Sequence, residues 1–374
     1  RLFSLLNFHN FLYYCSMRKL LIIFFFLPSI AFTQGPEITS WILNTNGNTN
    51  PSFPNYLTNV QNVCYTSTDV YISCTCIPGY DIGPWSQNPN QPANQNFVFK
   101  ISLNPQENTG NKTKAPMGHT GIWINGVSIF NAEDGMSYQN QGVWNQNALY
   151  FEGVSFDDCL GHPAPNGEYH LHVNPTCLYD DTENNIHSPI IGYAFDNFPI
   201  YGAYGYADIN GGGGIKRMES SYQLRNITNR INGPSLNQHP LGAYIEDFEY
   251  LSGIGDLDEY NGRYCVTPEY PNGTYAYFVT IDEFLDPVYP YTPGPYYYGI
   301  AQGSGNIGWQ SGHHTIPSNC VPYTGSTNLI DFDNTFERNI LNVLDFIGRE
   351  TNQKNQPLFY IYDNGTVEKR IVIE

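Results

Sequence analysis

The chain has 374 residues, of which 13% are charged and 15% aromatic, and its formal net charge is −18 at pH 7. This aromatic content is enough to bury a substantial core, which excludes a disordered body. The negative charge repels phosphate backbones, so we expect no nucleic-acid partner. Glycine (35), proline (26) and tyrosine (30) are abundant and helix-forming runs are scarce, which predicts an all-β fold with long loops.

The first 34 residues are expected to be targeting sequence and not part of the fold. Residues 1–16 precede Met17, and we interpret them as an upstream segment foreign to the native protein. In residues 17–34, Arg18 and Lys19 precede an apolar run and then small residues, the pattern of a secretory signal peptide. The apolar run, residues 20–27, is too short to span a bilayer. A buried strand and a membrane anchor are the alternatives.

Turn residues divide the main domain, residues 35–325, into hairpins. Asn125-Gly126 joins apolar segments at 121–124 and 127–130, and Asp196-Asn197 joins 190–195 to 198–204. Further segments with the pattern of strands are 70–77, 96–103, 264–269 and 274–280. No repeat of fixed period is visible. Because hairpins pair antiparallel strands, we predict an antiparallel sandwich or irregular barrel with long loops, followed by a small β domain at residues 326–374.

The stretch Asn166 to Pro175, "NGEYHLHVNP", carries two histidines two residues apart. Side chains alternate faces along a strand, so His170 and His172 should point to one side and could share a metal ion. His162 in a nearby constrained loop and His119 before the Asn-Gly hairpin are the candidate further ligands. Imidazole ligands favour Cu or Zn. The alternative is that these histidines only bond backbone carbonyls or line a polar groove. Weaker options are His187, His313 and His314.

Seven cysteines follow residue 34, and in an exported protein some of them should form disulfides. Cys159 and Cys177 lie on either side of the histidine segment, and a bridge between them would tie that loop. The number is odd, so at least one cysteine has no partner within the chain. The others are Cys64, Cys74, Cys76, Cys265 and Cys320.

Other chemistries have little support in the sequence. It contains no Gly-x-Ser-x-Gly elbow, phosphate-binding loop or His-Glu-x-x-His motif. The carboxylates in "GDLDEYNG" could bind calcium, although a solvated acidic turn is the better interpretation. The tyrosines near residue 290 could stack on sugars, but tyrosine alternating with proline more often packs loops on a β core. These groups are Asp256, Asp258 and Glu259, and Tyr289, Tyr291, Tyr296, Tyr297 and Tyr298.

The C-terminal residues have the pattern of a β hairpin. Residues 358–362 alternate in strand fashion, Asp363-Asn364-Gly365 forms a tight turn, residues 366–373 return, and an earlier strand is expected at 340–346. The pieces "LDFIGRE", "QPLFYIY" and "DNGTVEKR", in this order, resemble the type IX secretion C-terminal sorting domain of Bacteroidetes-type bacteria. This resemblance implies export across an outer membrane to the cell surface or medium, with the secretion machinery as a partner.

The segments "GHPAPNGEYHLHVNP" and "IIGYAFDNFPIYGAYGY" resemble the YHYH family of secreted proteins, which is named for such a motif. Further pieces upstream and downstream extend the resemblance over most of residues 65–299. The second tyrosine of the motif is Leu171 here, on the strand face opposite the histidines. A site built on the histidine face would survive that change. The resemblance implies an extracellular setting and leaves the chemistry open.

Two hypotheses follow. In the first, the exported domain binds Cu or Zn through His170 and His172, completed by His162 or His119, and whether it is an enzyme stays undecided. In the second, it is a non-catalytic surface or glycan-binding module that contacts an extracellular polymer or small molecule, and its histidines serve structure alone.

Overall fold

The computed structural model describes residues 34–325 apart from 304 and 309, and then 340–344, 349, 351, 357–362 and 367–371. The described strands and helices belong to one compact unit, Pro36–Glu374. The segments predicted as upstream sequence and as the signal peptide lie outside the described residues, except for Gln34. Part of the predicted C-terminal motifs also lies outside them.

The described chain consists mainly of short strands. The first group is β1 Val60–Tyr65, β2 Asp69–Cys74, β3 Phe97–Ser102, β4 His119–Trp123, β5 Ser128–Phe130, β6 Glu133–Ser137 and β7 Asn145–Asn147. The second is β8 Gly161–Pro163, β9 Tyr169–Leu171, β10 Ile190–Ala194, β11 Pro199–Tyr201, β12 Tyr204–Tyr206, β13 Ile215–Arg217 and β14 Tyr222–Leu224. The third is β15 Phe248–Tyr250, β16 Gly262–Cys265, β17 Thr274–Phe278, β18 Val321–Tyr323, β19 Ile340–Leu344, β20 Pro357–Tyr362 and β21 Val367–Ile371.

Helices are few and short. The α-helices are α1 Pro36–Thr39 and α2 Ala148–Glu152, and single 3₁₀ turns occur at Tyr138–Asn140, Gly153–Ser155 and Ile245–Asp247. The side chain of Asn147 caps α2 by accepting a hydrogen bond from the backbone N–H of Leu149. Within the described residues, no helix is both long and apolar enough to cross a membrane.

Two sheets enclose the core. One is four-stranded with the order β18-β1-β2-β3, and the other is eight-stranded with the order β16-β17-β11-β10-β4-β5-β9-β8. Their buried apolar side chains form one continuous cluster, in which Phe99 of β3 meets Phe195 with ring centroids 5.2 Å apart. The fold is therefore a β sandwich, and neither of these two sheets closes into a barrel.

The predicted hairpins are confirmed. The Asn125-Gly126 turn joins β4 to β5, Asp196-Asn197 joins β10 to β11, and the C-terminal strands β19, β20 and β21 form an antiparallel sheet. The predicted all-β sandwich is confirmed, and its larger sheet also contains two parallel pairs, β5 with β9 and β11 with β17. Each parallel pair is separated by a long connection, which the short turn signals in the sequence do not report.

Strands β8 and β9, which we call the histidine hairpin, lie at one end of the eight-stranded sheet. β9 pairs with β8 on one side and with β5 on the other, so His170 is opposite both His162 and Ser128. The predicted bridge between Cys159 and Cys177 is present, and a second bridge joins Cys64 to Cys320. The remaining cysteines of the described residues, Cys74, Cys76 and Cys265, are buried as free thiols.

Candidate metal centre

The structure brings His162, His170 and His172 together at one buried point. Each of these side chains offers one ligand atom, and these atoms all lie within 4.8 Å of one another. The Nε2 atoms of His162 and His170 are 3.1 Å apart, as are those of His170 and His172. Two nitrogens bound to one zinc ion at 2.0–2.1 Å in tetrahedral geometry are about 3.3 Å apart. The spacing therefore suits a single metal ion.

Neighbouring carbonyl groups fix the proton positions on two of the rings. Nδ1 of His170 lies 3.1 Å from the carbonyl oxygen of Glu168, and Nδ1 of His172 lies 2.5 Å from that of Asn131. A carbonyl oxygen only accepts, so both Nδ1 atoms carry the proton. Both neutral rings consequently present the Nε2 lone pair to the centre.

Ser155 fixes the third ring in the same way. Its hydroxyl donates to the carbonyl oxygen of Glu152 at 2.8 Å. The hydroxyl oxygen, Oγ of Ser155, also lies 2.7 Å from Nδ1 of His162. Because a serine hydroxyl has one proton to donate, it accepts from the Nδ1–H of His162. All three rings thus direct Nε2 inward, and outer partners that orient metal-binding histidines commonly impose this arrangement.

Glu152 lies beside the centre at the end of α2. Its Oε2 atom is 3.1 Å from Nε2 of His172 and 3.6 Å from Nε2 of His162. Burial opposes the charge of His172, but the hydrogen bond and charge of Glu152 outweigh it and raise the pKa of this ring. Burial also raises the pKa of Glu152, yet the contact with His172 lowers it overall. A carboxylate therefore faces the three nitrogens.

Asp134 of β6 extends the acidic side of the centre. Burial and the neighbouring charge of Glu152 raise the pKa of Asp134 to about 6. Glu152 is 30% exposed at its side chain, whereas the three rings are nearly inaccessible. The carboxylates therefore lie on the side of the centre that faces solvent.

Aromatic rings form the apolar wall of the centre. Phe130 stacks on His170 with ring centroids 3.9 Å apart, and Phe156 lies edge-on to His162 at 4.9 Å. Burial lowers the pKa of His162 to about 4, and burial together with the other two rings lowers the pKa of His170 well below its ordinary value. His162 and His170 are therefore held as neutral imidazoles, the form that binds metals.

The fourth predicted ligand, His119, lies outside this group. Its Nε2 atom is 2.5 Å from Oε1 of Glu168 and its Nδ1 atom is 2.8 Å from the hydroxyl of Ser311. The ring of Phe130 contacts both His119 and His170. His119 thus supports the hairpin through Glu168, whose own carbonyl oxygen accepts from His170.

The hairpin is held in place by Asp157 and the disulfide. The carboxylate of Asp157 accepts from the phenol of Tyr169 at 3.0 and 3.1 Å and from the backbone N–H of Gly161 at 3.1 Å. A Cβ on Gly161 would lie 2.3 Å from the phenol oxygen, so only glycine fits there. These contacts fix the end of β8 that leads into His162.

The other candidate groups have structural partners. Asp256 pairs with Lys216 at 2.9 Å, and Asp258 accepts from Tyr275 at 2.8 Å, so these carboxylates are engaged within the fold. Tyr289, Tyr291 and Tyr297 are buried, which confirms packing for those three. His187 is buried elsewhere, His313 is exposed, and His314 lies 2.8 Å from Oδ1 of Asn306.

Three residues of this centre were not predicted from the sequence: Glu152, Ser155 and Phe130. Glu152 and Ser155 belong to short helical turns ten and seven residues before His162, a distance that no strand alternation connects to the histidines. The available signal was Asn147, a good helix N-cap placed just before α2.

Comparison with known proteins gives one result. A family model described as "YHYH protein" matches residues 98–288, just over half of the 374 residues. Searches of curated proteins and of solved structures found no match. The matched residues include the three converging histidines, Glu152 and Asp134. The chain therefore belongs to the YHYH protein family.

Proposed function

We propose that this YHYH protein binds one transition-metal ion, Zn²⁺ or Cu²⁺, through Nε2 of His162, His170 and His172. The observation that carries this proposal is the convergence of three Nε2 lone pairs, each set by a hydrogen bond at Nδ1. Lone pairs facing each other at 3.1 Å repel unless a cation lies between them. A proton on His172 can bond to Glu152, but it leaves the lone pairs of His162 and His170 opposed.

The ligand set also indicates what the metal would do. Three histidines leave a coordination position open, as in catalytic zinc sites, whereas structural zinc sites are filled by four protein ligands. Glu152 lies where it could occupy that position or accept a proton from a water molecule bound there. A metal at this place supplies a Lewis acid, while Glu152 and Asp134 supply carboxylates on the accessible side.

Elemental analysis of the purified protein tests the proposal. We expect one equivalent of Zn or Cu in the wild type and in His313→Ala, a matched control at an exposed histidine. We expect less than a tenth of an equivalent in the double variant His170→Ala/His172→Ala, with an unchanged circular dichroism spectrum. Visible absorption bands then separate Cu²⁺ from colourless Zn²⁺.

His119→Gln separates the two possible third ligands. Its ring nitrogens bond to Glu168 and Ser311, so the metal should stay bound in this variant and leave in His162→Gln. A wild-type protein that holds no metal after expression with Zn or Cu and dialysis would refute the proposal.

We also propose that the protein is exported, by the signal peptide at 17–34 and by a type IX sorting tail at 326–374. Two disulfides and the three-stranded C-terminal sheet support this proposal. Fusing residues 326–374, together with the signal peptide, to a reporter in a type IX-competent host tests it. The reporter should reach the surface or medium, and should stay in the periplasm when the tail is omitted.

A second candidate function is glycan binding, and one surface favours it. The rings of Phe53 and Trp85 stack with centroids 5.9 Å apart beside a cavity of about 360 Å³, which Ser52, Asn88 and Gln91 also line. Aromatic faces bordered by amide side chains suit sugars. Retention on a polysaccharide column that Phe53→Ala abolishes, with the metal content unchanged, would support this candidate.

A further inference from the structure

The eight-stranded sheet contains one four-strand unit twice. From its centre outward, β4, β5, β9 and β8 on one side match β10, β11, β17 and β16 on the other. In both halves the first and second strands are antiparallel, the second and third are parallel, and the third and fourth are antiparallel. The two halves meet at the antiparallel pair of β4 and β10.

The registers and turns agree residue by residue. Ile129 faces Leu171 in one half, and Ile200 faces Tyr277 in the other. The backbone N–H of Trp123 bonds to Val127, and that of Ala194 bonds to Phe198. Across the centre, the N–H of Ile124 bonds to Ile191, and that of Phe195 bonds to Thr120. These matched bonds define a two-fold relation between the halves.

The aspartate hydrogen bonds that hold the histidine hairpin are also repeated in the second half. Asp258 accepts from Gly262 N–H at 3.2 Å and from the phenol of Tyr275 at 2.8 Å, as Asp157 does from Gly161 and Tyr169. Each aspartate and its glycine are followed by the same local pattern, Pro-Asn-Gly, any residue, then Tyr, at 165–169 and 271–275. The correspondence therefore extends to the strand that carries the metal ligands.

The two-fold relation locates a second centre, with different side chains. His162 corresponds to Arg263, because each pairs with the residue that follows the matched tyrosine: His170 follows Tyr169, and Ala276 follows Tyr275. His172 corresponds to Phe278, two residues further along. The second half therefore has a cation where the first has a metal ligand, and it lacks the other two imidazoles.

Arg263 is buried without a carboxylate partner. It is 8% exposed, it donates from Nη2 to the carbonyl oxygen of Tyr206, and its guanidinium lies 5.7 Å from the ring centroid of Phe278. Among the described residues no acidic side chain lies within 4 Å of it, and its Nε–H has no partner. An isolated buried cation is costly, so this arrangement favours an anion beside it.

His187 supplies a second unpartnered atom at the same place. It is 8% exposed and packs on Tyr206 and Phe278, the residues that Arg263 also contacts. Its Nδ1–H donates to the carbonyl oxygen of Ser188 at 2.7 Å, so the neutral ring presents a lone pair at Nε2. That Nε2 has no hydrogen-bond partner.

We propose that Arg263 and His187 form a second ligand site that binds a protonated oxyanion, namely hydrogen phosphate or the singly protonated phosphate group of a monoester. One oxygen of this group accepts from Nε–H of Arg263, and its P–OH donates to Nε2 of His187. The charge of the guanidinium is then balanced, and both unpartnered atoms are satisfied. Sulfate and acetate lack the proton near neutral pH and leave the Nε2 lone pair of His187 opposed to an oxygen.

Titration calorimetry on the intact protein at about pH 6, where methyl phosphate is partly protonated, tests the site with inorganic phosphate, methyl phosphate, sulfate and acetate at matched ionic strength. We expect one phosphate equivalent per chain, bound at least about tenfold more tightly than sulfate or acetate. Methyl phosphate distinguishes a monoester site, which binds it, from a site for the free ion, which does not.

Variants identify the residues. Arg263→Lys and His187→Phe should each weaken phosphate binding about tenfold or more, while the control Arg225→Lys, at an exposed arginine, should not. The metal content of all three should equal that of the wild type. If Arg263→Lys fails to fold, His187→Phe decides. Equal binding of phosphate and sulfate, or phosphate binding unchanged by these variants, means an adventitious ion only and overturns the proposal, as does the absence of saturable binding.

Discussion

Replacing Asp196 by asparagine should stabilise the protein at neutral pH and leave it nearly unchanged in acid. Asp196 is fully buried in the turn between β10 and β11, where its Oδ2 accepts from the phenol of Tyr277 at 2.6 Å and from Gly299 N–H at 2.7 Å. Burial raises the pKa of Asp196 from 3.8 to about 6, although these hydrogen bonds act in the opposite direction. The folded protein therefore holds this proton more tightly than the unfolded chain does.

The sign and size of the effect follow from this shift. Well below pH 4 the carboxyl is protonated in both states and costs little. The cost grows between about pH 4 and about pH 6 and stays constant above that, where both states are ionised. A shift of about two pKa units corresponds to about 3 kcal/mol. Asparagine suits the turn, because Asn125 occupies the corresponding place between β4 and β5 and accepts from Val127 N–H at 3.1 Å.

Urea denaturation of the wild type and Asp196→Asn, from about pH 4 to about pH 7.5, measures the effect. The free energy of unfolding of the variant minus that of the wild type should rise by about 3 kcal/mol across this range, because groups common to both proteins cancel. The matched control, Asn125→Asp, should show the opposite slope. A difference that does not change with pH, or that falls as the pH rises, would refute the reasoning.

Three further predictions concern the histidine hairpin. The double variant Cys159→Ser/Cys177→Ser removes a bridge between cysteines 18 positions apart. It should lower the free energy of unfolding by about 3 kcal/mol in urea titrations, and an unchanged unfolding midpoint would contradict this. Tyr169→Phe and Tyr275→Phe each remove the hydroxyl of a fully buried tyrosine that is bonded to an aspartate, so each should cost about 1–3 kcal/mol. Clearly unequal costs would count against the two-fold relation. Leu171→Tyr adds volume on the fully buried face opposite the histidines, so it should destabilise by about 1–3 kcal/mol while elemental analysis finds the metal content unchanged; loss of metal would show that the two faces are coupled.

Local signals in the sequence were sufficient for the hairpins and for part of the site. Asn125-Gly126 and Asp196-Asn197 specify tight turns because Gly126 and Asn197 adopt φ of 81° and 77°. Strand alternation placed His170 and His172 on one face, and their Nε2 atoms meet at 3.1 Å. These features depend on neighbours a few residues apart, which a single sequence reports.

Features that depend on distant pairing were not predictable in the same way. The parallel registers join strands that are far apart along the chain, and Glu152 and Ser155 approach the histidines from helical turns that strand alternation does not connect to them. The duplicated unit has no fixed period, because its connections differ in length. The connection from β5 to β8 is much shorter than that from β11 to β16, and the loop between β8 and β9 is shorter than that between β16 and β17. The recurring "PNG" and tyrosine at 165–169 and 271–275 was the one local sign of it.

The bridge between Cys64 and Cys320 determines what a proteolytic cut does to this chain. The two cysteines are 256 positions apart, and all three histidines of the metal centre lie between them. A single nick inside this covalent ring leaves both fragments tethered, whereas a nick after residue 325 detaches the C-terminal sheet and opens no ring. A processing protease can therefore remove the proposed sorting tail without cutting the disulfide-closed segment that contains the metal centre.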